Sequence, residues 1–127
     1  MEQYLIDTNA VSDYFANAFP LKGMQFMDTV IDAVPNLSVM TQIELLCWNT
    51  QNDIELKVKA FIQDSTILDI DANVITHCVS IRKGKKIKTP DAIIAATAVS
   101  QGLTLISRNS SDFKNIKGLK LIDPHSL

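Results

Sequence analysis

Four acids, Asp7, Glu44, Asp91 and Asp112, are spread along a chain of 127 residues, each close to a change from strand-like to helix-like sequence. Asp7 follows Tyr4-Leu5-Ile6, Glu44 comes one turn after the run Leu37 to Met40, Asp91 sits in the first turn of an apolar helix, and Asp112 lies in the loop after Leu103 to Ile106. In an open parallel sheet, ligands bind outside the carboxyl ends of the strands. Asp7, Glu44 and Asp112 should reach that edge directly, and Asp91 enters from a helix N-terminus that can face the same crevice. Carboxylates gathered there repel, and one takes up a proton unless a cation neutralises the group. Hard divalent ions such as Mg2+ suit oxygen donors. A zinc site is not on offer: Cys47 and Cys78 lack paired spacing, and His77 and His125 stand alone.

Each acid also has a purely structural use. Thr41-x-x-Glu44 before an apolar run matches a capping box, Asp91 gains from the helix dipole, and Asp7 can serve as a helix cap. Thr8 and Asn9, however, can cap the first helix without Asp7, and Thr89 can cap the central helix without Asp91. The acids are then redundant as caps.

The elements that would position these groups alternate between strand and helix. Strands are expected at 3–6, 37–40, 66–70, 103–106 and 119–122. A first helix carries Val11, Tyr14 and Phe15 and runs until Pro20 and Gly23 interrupt it; others are expected at about 24–33, 41–48, 53–62 and from Asp71 or Asn73 to Arg82, with Gly84 as its stop. The central helix, TPDAIIAATAVSQ, has Thr89 as cap, Pro90 in the first position and Gly102 as the left-handed terminator. Its lack of a wide polar face marks it as buried. Strands separated by helices imply right-handed parallel crossovers, hence an α/β helix–sheet–helix sandwich around a mainly parallel five-stranded sheet.

Composition sets the outer bounds. One domain over residues 1–127 is expected, with 46% hydrophobic and 20% charged residues and no apolar run near the roughly 20 residues of a membrane span. No basic region followed by an apolar stretch marks the N-terminus, so a cytoplasmic location is expected, and both cysteines read as reduced core residues. A net charge of −2 gives no global attraction to nucleic acid. The local exception is Arg82-Lys83-Gly84-Lys85-Lys86-Ile87-Lys88, with five of the chain's twelve basic residues leading into Asp91. It reads either as a solvated loop or as a track for a phosphate backbone beside the acids, and the second reading is preferred.

Four motifs stand in order along the chain: Tyr4-Leu5-Ile6-Asp7-Thr8-Asn9, Thr41-Gln42-Ile43-Glu44-Leu45, Pro90-Asp91-Ala92-Ile93-Ile94-Ala95-Ala96-Thr97-Ala98, and Ser107-Arg108-Asn109-Ser110-Ser111-Asp112-Phe113. In these motifs and their order the chain resembles the PIN-domain ribonucleases, and in size and order it is similar to a VapC-type toxin of a toxin–antitoxin pair. Ser107 stands where the family often has threonine and keeps the hydroxyl. The resemblance implies a PIN-like fold and a metal-dependent endoribonuclease using Mg2+, with Mn2+ able to substitute, that leaves a 5′-phosphate and a 3′-hydroxyl. By the same resemblance the acidic pocket comprises Asp7, Glu44 and Asp91, with either Asp112 or Asn109 in the fourth place, one or two metal ions, and Thr8, Asn9, Ser107 and Asn109 in support. RNA contacts are assigned to Arg82, Lys85, Lys86, Lys88 and Arg108. Expected partners are RNA, a cognate antitoxin that blocks the pocket and a second copy of the chain, with apolar residues of the first two helices (Tyr14, Phe15, Phe19, Phe26, Met27) offered for the dimer or for the core. Two other readings are a catalytically idle module that binds RNA or a partner, and a phosphoacceptor receiver domain. The receiver needs an acid pair after its first strand and a lysine after its last, and neither is present.

Overall fold

The computed structural model describes residues 2–127. Five three-residue strands, β1 (Tyr4–Ile6), β2 (Asn36–Ser38), β3 (Thr66–Leu68), β4 (Thr104–Ile106) and β5 (Lys120–Ile122), form one sheet in the order β3-β2-β1-β4-β5, and every pairing is parallel. The helices are α1 (Thr8–Phe15), α2 (Leu21–Asp32), α3 (Val39–Leu46), α4 (Asn52–Gln63), α5 (Ala72–Gly84), α6 (Thr89–Gln101) and the short α7 (Ser110–Phe113), followed by a 3-10 turn at Pro124–Ser126.

The alternation of side chains along each strand divides the core in two. Ile6 and Ile106 point to one face of the sheet, where Val11, Met27, Leu45 and Phe61 of α1 to α4 cover them. Their neighbours Leu5 and Leu105 point to the other, against Ala92, Ile94, Ala95 and Ala98 of α6 and Phe113 of α7. The sandwich expected from the sequence is therefore formed. Burial of α6 follows too, with Ala92, Ala95, Ala96 and Ala98 fully buried and Gly102 closing the helix at φ 66°.

Element ends differ from the sequence reading in ways that have physical causes. The cap of α1 is Asp7 itself, whose carboxylate accepts from the Thr8 amide, so the acid is not redundant there. For α3 the cap is Ser38, whose hydroxyl accepts from the Met40 amide; Thr41 lies inside the helix and no capping box is made. Helix α6 begins one residue early, with Lys88 in the cap position and Thr89 and Pro90 already helical, and no side chain caps it. Gly23 interrupts nothing. It lies within α2 because the carbonyl of Pro124 passes so close that an added Cβ would stand 2.3 Å from the oxygen.

The residues offered for a dimer from the first two helices serve the core. Phe19 and Met27 are buried in it, and Tyr14, Phe15 and Phe26 pack against it. Cys47 is also corrected: it is exposed, as the cap at the C-terminal end of α3, while Cys78 is half-buried and packs against the second core cluster.

Candidate active site

The strand order changes direction beside β1: β2 lies on one side and β4 on the other, so the chain ends of β1 and β4 open a crevice between them. Asp7, at the end of β1, and Ser107, at the end of β4, meet across it. Ser107 Oγ donates to Asp7 Oδ2 at 2.7 Å, Asn9 Nδ2 donates to the same oxygen at 3.0 Å, and the Thr8 amide donates to Oδ1 at 2.8 Å. Asp7 is only 3% exposed. Burial pushes its pKa up to about 6, opposed by the bonds from Ser107 and Thr8 and reinforced by the charges of Asp91 and Glu44.

Glu44 reaches the crevice from the middle of α3, where its oxygen Oε1 accepts from Thr8 Oγ1 at 2.6 Å. The Thr8 hydroxyl also lies 3.2 Å from that of Thr41, so α1 and α3 are joined by a short hydroxyl–carboxylate chain. Asp91 projects from the first turn of α6. Its pKa is raised, first by burial and then by the charges of Asp112 and Glu44, while Lys88 lowers it. Asp112, on α7, accepts from Asn109 Nδ2 at 2.9 Å. The two candidates for the fourth place thus occupy one corner, with the amide holding the carboxylate. All four sequence-assigned acids share the carboxyl edge, and none forms an ion pair among the described residues.

The donor set is one of oxygens alone. Among the described residues, no three His, Cys, Asp or Glu side chains stand close enough together to hold a metal ion between them. Oxygen donors suit hard ions such as Mg2+, which binds through one or two carboxylates and keeps waters in its remaining positions, rather than Zn2+.

Thr8, Asn9, Ser107 and Asn109 lie within one hydrogen-bonded group around the acids, and two further residues join it. Asn9 bridges the crevice: its Nδ2 lies 3.2 Å from Ser107 Oγ, and its Oδ1 accepts from the Arg108 amide at 3.2 Å. The Asn109 amide donates to Ser107 Oγ. Arg108, read from sequence as an RNA contact, donates from Nη1 to Asp13 Oδ1 at 2.8 Å. Asp13 is buried on α1, and His125 Nε2 lies 2.9 Å from its other oxygen, with the imidazole packed on Phe19. Neither Asp13 nor His125 belongs to a motif, and the only hint of them in the sequence is that Asn9 and Asp13, four apart, share a helix face.

The basic run divides. Lys88 is the member whose charge acts on Asp91. Arg82 donates from Nε to the Ile87 carbonyl, and Lys85 lines a separate cavity of about 450 Å3 with His77, Ile116 and Lys117.

The sequence profile of the PIN domain family matches residues 4–119. The "tRNA(fMet)-specific endonuclease VapC" of Shigella flexneri is 31% identical over 71 residues, 52% of this chain and 54% of that protein, so the chain spans about half the length of the curated relatives it matches. Among solved structures, the DNA-bound VapBC of Salmonella typhimurium superposes with a TM-score of 0.80 at 26% identity, covering 98% of this chain and 99% of that one. A toxin–antitoxin complex from Klebsiella pneumoniae superposes at 0.74 and 29%, covering 96% and 98%. With a profile match over nearly the whole chain and its acids at the edge where the strand order reverses, the chain belongs to the PIN domain family.

Proposed function

We propose that this chain is a metal-dependent endoribonuclease and the toxin of a toxin–antitoxin pair, hydrolysing RNA phosphodiester bonds. The observation that carries this reading is the buried Asp7 carboxylate, raised to about 6 and facing Asp91 and Glu44 with no Lys or Arg paired to it. A carboxylate held so is costly to the fold and is relieved by a divalent cation. Asp7 and Asp91 would hold Mg2+, with Glu44 and Asp112 as further oxygen donors directly or through water, and Mn2+ would substitute. When bound, such an ion acidifies a water for attack on phosphorus and stabilises the leaving oxygen.

The chain's own residues prepare the site. Ser107, Asn9 and the Thr8 amide fix the Asp7 oxygens, and the Thr8 hydroxyl orients Glu44, so neither acid has to be reoriented when substrate arrives. Lys88 adds positive charge at the rim, where the phosphate backbone approaches. The partners in this reading are RNA, an antitoxin that covers the acidic crevice, and a second copy of the chain. No helix is long and apolar enough to cross a membrane among the described residues.

The test is cleavage of RNA by the purified chain with Mg2+, with Mn2+ and with a chelator. Cleavage that needs the cation and vanishes in Asp7→Asn and Asp91→Asn is expected. Cation-independent cleavage, or wild-type cleavage by both variants, would overturn the reading, and sedimentation to a single monomeric species over a wide concentration range would remove the dimer.

A further inference from the structure

A cavity of about 210 Å3 adjoins the acidic crevice, lined by Thr8, Ser12, Glu44, Leu45 and Trp48. Two of these, Thr8 and Glu44, also belong to the acid cluster, so the cavity and the crevice form one continuous surface. We propose that this cavity is a subsite for a single nucleobase of the RNA next to the cleaved phosphate, with Trp48 as its stacking wall. The proposal rests on the ribonuclease reading above.

Size, chemistry and position support it. The volume falls below the roughly 300–1,000 Å3 of a site for a drug-sized molecule, which suits one planar ring rather than a stretch of peptide. The lining combines an aromatic ring and Leu45 with acceptors. Ser12 Oγ spends its only hydrogen on the Asn9 carbonyl at 2.9 Å, so towards the cavity it can only accept, and the Glu44 carboxylate is an acceptor as well. Every nucleobase carries at least one N–H on its edge, and every base has a face that can stack on indole. Position supports it as well: a base flanking a phosphate held among Asp7, Glu44 and Asp91 lies one sugar away, and the cavity shares Thr8 and Glu44 with that group. The indole is itself half-buried, packed against the core formed by Leu45, Val58 and Phe61, and so is held in place before a base arrives. A preset aromatic wall loses little freedom on binding.

Trp48 is the only tryptophan in the chain, so a change in tryptophan emission reports on the surroundings of this one ring. In the Asp7→Asn background, where RNA survives, titration with short single-stranded RNA should change the emission, whereas ribose 5-phosphate, which lacks a base, should not. In the otherwise unaltered enzyme, Trp48→Ala should raise KM roughly 5- to 150-fold, the range expected for one lost base–aromatic stack, with a much smaller change in kcat. Trp48→Phe should restore most of the loss, and a folding defect would show separately as a lowered Tm. Emission that stays constant while the anisotropy of labelled RNA reports binding, or a folded Trp48→Ala enzyme with wild-type KM, overturns the subsite and leaves the ribonuclease reading intact. Absence of both binding and cleavage in the wild-type chain overturns the two together.

Discussion

Thr8 Oγ1 lies 2.6 Å from Glu44 Oε1, a bond between residues 36 apart in sequence that joins the start of α1 to the middle of α3. The contact fixes where the Glu44 carboxylate points. With Ser38 in the cap position, the carboxylate is not spent on the helix end and is held instead against the crevice. Thr8→Val keeps the shape and removes the donor, so cleavage at limiting Mg2+ should fall about 10- to 100-fold, the usual cost of losing a group that orients a metal ligand. Thr8→Ser should recover most of it, and a Mg2+ titration of activity for the three proteins checks this.

Glu44→Gln follows from the same geometry. An amide preserves the size of the side chain and can still accept from Thr8, while the ligand charge is lost. Activity should collapse with little change in Tm. A large loss of stability with activity retained per folded molecule would return Glu44 to a structural role.

Protonation of Asp7 gives a stability prediction with a definite sign. The folded-state value, about 6, lies above the ordinary carboxylate value of 3.8, so between the two the folded chain binds more protons than the unfolded one and stability falls as pH rises. The difference corresponds to an upper bound on the order of 2–3 kcal/mol, fully lost above the folded value. Asp91 shifts in the same direction. Without divalent cations, Tm should therefore be higher near pH 5 than near pH 7.5, and Mg2+ added at the higher pH should raise it. Asp7→Asn should flatten the profile, although its new N–H2 must face either the Thr8 amide or the Asn9 Nδ2 donor, which offsets part of the gain. A Tm that rises steadily from pH 5 to 7.5 in chelator would contradict the burial argument.

Within the basic run, Lys88 and Lys85 should separate. Lys88 acts on Asp91, whereas Lys85 lines a cavity with Lys117. Lys88→Gln should weaken RNA binding and reduce the log–log salt slope by about 0.7, the value for one phosphate contact on a single strand. Lys85→Gln should change both much less. Binding isotherms at three or four salt concentrations decide between this and equal contributions.

Gly23→Ala tests the close approach of α2 to the 3-10 turn. In an ordinary helix the change is favourable by about 1 kcal/mol, but here the new carbon would stand 2.3 Å from the Pro124 oxygen, an atom of the backbone that cannot rotate away. A net loss of about 1–3 kcal/mol is expected from the overpacking. Denaturant unfolding at neutral pH measures it, and a stabilised variant would show that the turn yields freely.

What could be read in the sequence was periodic or local. Strand–helix alternation placed Asp7, Glu44, Asp91 and Asp112 at one edge, and Asp71 and Gly102 mark the start of α5 and the end of α6 as their chemistry suggests. Readings failed where a local signal competed with a distant contact. Gly23 resembled a breaker because the Pro124 carbonyl that requires it is 101 residues away, and Thr41-x-x-Glu44 resembled a capping box because Ser38, three residues earlier, gave no sign of taking the cap. The Asp13–His125 contact spans 112 residues, and no period or spacing encodes it.

The same long separations shape how the crevice comes into being. Asp7 meets Ser107 across 100 residues, Thr8 meets Glu44 across 36, and Asp13 meets Arg108 across 95. Closing such loops is slow, and none of these bonds forms from a local fragment. During synthesis, an emerging chain that has made β1 to β3 carries Asp7 and Glu44 but lacks the strand whose end fixes the Asp7 oxygen. The crevice is therefore completed late, when β4 docks beside β1 and brings Ser107 to the Asp7 carboxylate.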